Sequence, residues 1–141
     1  MKKSNYIIIA ALGFVLDRII KYFVLKNPSF ENGFFLFDGV FGLRLHINEY
    51  FAWGLPISNT ISIYLMILVI LALIYAMIRM HALGLWLVLA GALSNILDRF
   101  IYNGVIDYIV VPWGGIINIA DILVIAGVLV LLFYKKRGHA A

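Results

Sequence analysis

Four apolar runs, each close to the length needed to cross a bilayer, decide what this chain can fold into. They extend from Tyr6 to Leu25, Ile61 to Ile78, Leu83 to about Phe100, and Ile116 to Tyr134. A hydrocarbon core of about 30 Å takes about 20 helical residues. Only segments that close their own backbone hydrogen bonds are stable there. The chain has 141 residues, of which 65% are hydrophobic and 13% charged, against about 45–50% apolar in ordinary soluble domains. The expected fold is an all-α membrane protein: a single integral membrane domain over residues 1–141 with four transmembrane helices.

The basic residues orient these spans. Lys2 and Lys3 precede the first run, Arg79 and His81 separate the second from the third, and Lys135, Lys136 and Arg137 follow the fourth. An even number of spans gathers all three groups on one side, which the positive-inside tendency makes cytoplasmic. Both termini are then expected inside and the two longer connections outside. The formal charge of +4 is accordingly a topology signal and not a nucleic-acid footprint. Lys2 and Lys3 before an apolar run also resemble the start of a cleaved signal peptide. No small-residue cleavage pattern follows, however, and Asp17, Arg18 and Lys21 extend the segment,. The absence of cysteine excludes disulfides and thiolate chemistry. The three histidines, His46, His81 and His139, lack ligand spacing, so no metal is expected.

The outer connections carry structure of their own. Phe34 to Phe37, then Asp38-Gly39, then Val40 to Ile47 predicts a β-hairpin with its tight turn at Asp38-Gly39,. In its second strand Leu43, Leu45 and Ile47 alternate with Arg44, His46 and Asn48. A small β region over about 30–50 is expected to lie on the outer membrane surface, its aromatic side toward lipid. The second connection has an Asn103-Gly104 turn, an extended stretch from Val105 to Val111, then Pro112 and Gly114-Gly115 as breakers,.

Charged residues inside membrane helices cost about 2.5–3.5 kcal/mol on the insertion scale and tend to mark function. Asp17 and Lys21 are four apart and can pair on one helix face,. Asn95, Asp98 and Arg99 share one stretch of the third run, and Asn118 and Asp121 fall about one turn into the fourth. With alternating helix directions, all converge near the outer end. Arg18 reads as a residue reaching for the interface. Asp121 has no basic residue within four positions, and Asp107 is the available carboxylate on the neighbouring extended segment. Two carboxylates in one site cannot easily both ionise, so one holds a proton. That pair suits an aspartic protease, and equally a proton or ion relay.

In order along the chain, the same residues resemble bacterial lipoprotein signal peptidase, an aspartic peptidase of the inner membrane. Asp17-Arg18-Ile19-Ile20-Lys21 is similar to its D-x-x-x-K, and His46-Ile47-Asn48 with Ala52-Trp53-Gly54 to its asparagine motif. Gly91 to Arg99 resembles G-x-x-x-N-x-x-D-R, Val105-Ile106-Asp107-Tyr108 its V-x-D-aromatic segment, and Asn118-Ile119-Ala120-Asp121 its N-x-A-D. The resemblance implies a catalytic dyad of Asp107 and Asp121. It assigns Asn48, Asn95, Arg99 and Asn118 to substrate binding and orientation of the aspartates, and Asp17, Lys21 and Asp98 to structural support. It implies no metal and no cofactor. The implied partners are a prolipoprotein whose cysteine carries diacylglycerol, cut just before that cysteine, and the membrane lipids around a monomer. Tyr50 and Ser94 stand where the family has glycine, and Ile117 and Ile122 replace an aromatic and a small hydroxyl residue. These departures leave a third reading, a relative that binds precursors without cutting them.

Overall fold

The computed structural model describes residues 3–37, 39–51, 55–112 and 114–133. In chain order they form α1 (Lys3–Lys26), α2 (Ser29–Asn32), β1 (Phe34–Leu36), β2 (Phe41–Asn48), α3 (Asn59–Arg79), α4 (Leu83–Tyr102), β3 (Val105–Val110), β4 (Ile116–Ile117) and α5 (Ile119–Leu132). The protein is thus mostly helical, with one small antiparallel sheet in the order β1-β2-β3-β4. Two helices, α3 and α4, are long and apolar enough to cross a membrane. Helix α1 matches them in length but carries Asp17, Arg18 and Lys21. Helix α5 is described over 14 residues, and Tyr134, which ends the predicted fourth run, lies outside the described residues.

Helix α4 is the centre, packing against α1, α3 and α5. Burial separates it from α3: 61% of its apolar window is buried, against 6% for α3. The contact of α4 with α5 is made by small residues. A Cβ on Gly84 would collide with the Gly127 carbonyl, and one on Gly91 with the Ala120 carbonyl. Without a hydrophobic drive between helices in lipid, such close backbone approach is what holds a pair together.

Several expectations are revised. The sheet draws β3 and β4 from the second connection, with His46 opposite Asp107 and Asn48 opposite Val105. The first hairpin closes through a four-residue loop, since Leu36 pairs with Phe41. Its positive φ angles fall at Phe37 (51°) and Gly39 (89°), while Asp38 itself lies outside the described residues. A register shift between Leu43 and His46 breaks the expected alternation along β2, because one extra residue reverses which face follows. Ile116 and Ile117 are strand and not helix. The Val111 N–H donates to the Gly115 carbonyl at 3.0 Å, closing a turn at Pro112 and the glycines that lets the two isoleucines pair with Val110 and Ile109. The fourth helix therefore starts later than predicted, capped by Asn118.

A small cluster of Val24, Phe30 and Tyr108, lined by Ile20, Leu45, Ile109 and Ile119, fixes the end of α1 beneath the sheet. Phe30 meets Phe23 and Phe34 edge to face at 5.7 and 5.4 Å between ring centres. Phe34, Phe35, Leu36 and Phe37 stay exposed on the sheet's outer edge.

Candidate active site

The site forms where the sheet meets the ends of α4 and α1 and the start of α5. Asp107 projects from β3 and is only 2% exposed. Its two oxygens accept from different asparagines: Asn118 Nδ2 donates to Oδ1 at 2.7 Å and Asn48 Nδ2 to Oδ2 at 3.1 Å. Asn118 also caps α5 in a reciprocal box. Its Oδ1 accepts from the Asp121 N–H at 2.8 Å, and Asp121 Oδ2 accepts from the Asn118 N–H at 3.3 Å,. Asp121 therefore sits in the first turn of α5, not one turn in. Its other oxygen accepts from Asn95 Nδ2 at 2.8 Å. One residue, Asn118, thus ties both carboxyl groups to a helix N-terminus, the Asp107 carboxyl through its side chain and the Asp121 carboxyl through its backbone N–H.

The electrostatics follow from this crowding. Burial, and then the charge of Asp121, push the Asp107 carboxyl up to about 7 against the opposing pull of the Asn48 and Asn118 amides and Lys21. That combination keeps a proton on one member of the pair near neutral pH. The neighbouring Tyr108 hydroxyl is likewise pushed up by burial and by Asp17, so it acts as a neutral donor.

Beneath the pair lies a cluster of opposed charges. Lys21 Nζ contacts Asp17 at 2.9 Å and Asp98 at 2.7 Å, all three side chains being fully buried. It also donates to Asn95 Oδ1 at 2.9 Å, whose amide nitrogen holds Asp121. Arg18 pairs with the other Asp98 oxygen, so two acids meet two bases. Every oxygen in the cluster is used. Asp17 accepts from Ser94 Oγ at 2.6 Å, the Tyr108 hydroxyl at 3.0 Å and the Ala120 N–H at 3.1 Å, while Asp98 accepts from the Ile106 N–H at 3.2 Å. Buried charges are tolerated when partnered this fully. The cluster consequently locks α1, α4, β3 and α5 together around the two aspartates.

Arg18 is the clear correction to the sequence reading. It does not reach for the interface but balances Asp98, because Lys21 alone faces two carboxylates. Ser94 belongs to the same network, its hydroxyl and carbonyl both accepting from Arg18. Three further contributors were given no role by the sequence. Tyr108 joins Asp17 to the Ile119 N–H. Asn59 exchanges hydrogen bonds with the Arg99 guanidinium and backbone, and Ser94 had registered only as a departure from a motif. Arg99 is buried and makes no hydrogen bond to either aspartate of the pair. It donates to the Tyr50 carbonyl at 2.8 Å and faces the Phe51 ring at 5.9 Å, holding the segment after β2. The Tyr50 side chain is exposed. Ala52, Trp53 and Gly54 lie outside the described residues. Among the described residues no group of His, Asp and Glu is arranged to hold a metal ion.

Comparison with known proteins identifies the family. The family model described as signal peptidase (SPase) II matches residues 9–136. Proteins named lipoprotein signal peptidase are similar over most of their length. That of Clostridium novyi is 29% identical over 93% of this chain and 97% of its own. That of Bacillus pumilus is 31% identical over 89% and 88%, and that of a Helicobacter pylori strain 31% over 94% and 89%. A solved bacterial membrane enzyme superposes with a TM-score of 0.80 at 25% identity, covering 98% of this chain and 95% of that one. With the match running from the first third of α1 past the end of α5, the chain belongs to the signal peptidase II family of bacterial membrane enzymes.

Proposed function

We propose that this protein is a membrane-embedded aspartic endopeptidase that removes the signal peptide from diacylglyceryl-modified prolipoproteins, cutting just before the lipidated cysteine. The observation that carries the reading is the sharing of Asn118 by Asp107 and Asp121. The ionised member of the pair takes a proton from water, whose oxygen attacks the scissile carbonyl carbon. The protonated member donates to the carbonyl oxygen as charge develops there. Collapse of the tetrahedral intermediate then breaks the C–N bond, and the proton taken from water passes to the leaving amine.

The surrounding groups have matching duties. Asn48, Asn95 and Asn118 orient the aspartates; the Asn118 amide is spent on Asp107, Asn95 and the Ile106 carbonyl, which leaves the second amide hydrogens of Asn48 and Asn95 as donors for a peptide backbone. Arg99 keeps the Tyr50 segment beside the opening. Asp17, Arg18, Lys21 and Asp98 brace the site from below. In this reading α1, α3, α4 and α5 all span the inner membrane, with the site at their outer ends. The exposed Phe34, Phe35 and Phe37 edge rests in the lipid interface, where a substrate that is half lipid arrives.

The test uses purified protein and a diacylglyceryl-modified precursor, with cleavage read as a size shift. Asp107→Asn and Asp121→Asn should each lower turnover about 10²–10⁴-fold while the protein stays in the membrane fraction. Full activity in either variant would overturn the assignment.

A further inference from the structure

At the end of the bundle away from the aspartates, α1 and α3 flank α4 and leave an open groove of about 400 Å³ between them. Ile74, Met77, Trp86 and Leu89 form its apolar walls, and Lys3 and His81 stand at its mouth. Trp86 precedes Asn95 by nine residues, about 14 Å along the helix axis, so this groove is separate from the site described above. Helix α3, which supplies one wall, buries only Ser62 among its residues.

We infer that this groove binds one anionic phospholipid, its phosphate at Lys3 and His81 and an acyl chain along Trp86 and Leu89. The charge pattern selects this occupant. Six of the eleven Lys and Arg residues, Lys2, Lys3, Arg79, Lys135, Lys136 and Arg137, belong by sequence to this end, and none of the seven acidic residues does. Among the described residues neither Lys3 nor His81 has an acidic partner; the ion pairs all lie in the cluster at the other end. Arg79 adds a cation at the same level, folded over Tyr75 with its ring centre at 5.5 Å and its hydroxyl at 3.2 Å, the arrangement of an interfacial anchor. A zwitterionic lipid gains nothing from an excess of cations, whereas an anionic headgroup is favoured at each of them. A chain lying between α1 and α3 also gives α3 a second surface to pack on.

The experiment is tryptophan quenching of the purified protein in mixed micelles by phosphatidylglycerol with brominated acyl chains, compared with brominated phosphatidylcholine. Phosphatidylglycerol should quench at a mole fraction at least about fivefold lower, the factor that one basic residue near the headgroup provides. Lys3→Gln should remove about that factor, and Trp86→Phe should abolish the lipid-selective part of the signal. Equal quenching by the two lipids, or selectivity surviving in Trp86→Phe, would overturn the inference. So would a dimer whose contact shields Trp86 from both lipids, because the occupant would then be a second copy of the chain.

Discussion

Asn118 does with one side chain what usually takes several: it caps α5, fixes the Asp121 backbone and holds the Asp107 carboxyl. Around it, small changes have directional effects. With Asp107 raised to about 7, the pair carries its shared proton up to neutral pH, so cleavage should fall as the pH climbs beyond about 7. The Asn48 amide favours the ionised carboxyl, so Asn48→Leu should shift that alkaline limb to higher pH, as a pH–rate profile would show. Stability follows the opposite face of the same titration. Between about pH 4 and 7 the folded carboxyl keeps a proton that the unfolded chain has released, so stability drops as pH rises through that window. At Lys21, replacement by Met leaves Asp17 and Asp98 facing each other with one cation fewer. Breaking a buried pair of this kind costs about 3–5 kcal/mol, measurable by denaturation in detergent. Sequence alone made the Asp17–Lys21 spacing legible because four residues is one helical turn. It could not do so for Arg18, whose partner lies 80 positions away and is chosen by charge balance in three dimensions.

Among the elements, helix existence was the readable part and boundaries the harder one. Apolar length marked the four runs, but Ile116 and Ile117 have the same hydrophobicity in a strand as in a helix. Their state depends on the turn at Pro112 and on β3 as a partner. The bulge in β2 is similarly invisible, since alternation in the sequence is undisturbed where the pairing slips. The α4–α5 contact is where an element-level test belongs. Gly91→Val would drive a branched side chain into the Ala120 carbonyl and move α5, with Asp121, off Asn95. Overpacking typically costs about 1–3 kcal/mol. We expect cleavage to fall more steeply than thermal stability, as parallel activity and melting measurements would reveal. Gly91→Ala should show a milder form of both.

For the whole molecule, the sequence and the structure speak to different things. Charge clusters predict which way the helices run. Fusions of a cytoplasm-active reporter to either terminus should be active, and the same reporter inserted after Gly39 should be silent; the reverse pattern would invert the topology. The site's place at one end of the bundle was legible from the direction of successive helices. Its enclosure was not, because it depends on contacts across 91 and 103 residues between Asp17 and the Tyr108 and Ala120 positions. The two proposed acids differ from their supports in this respect. They lie on one β3–β4–α5 unit, bridged by an asparagine 11 residues from the first. If the polypeptide were cut in the connection before Leu83 and the fragments co-expressed, both acids would travel on the same piece. Reassembly would then be required to return Asp17, Arg18 and Lys21 on α1, Asn48 on β2 and Asn59 on α3, so such a split enzyme should regain its activity in step with the docking of the first fragment.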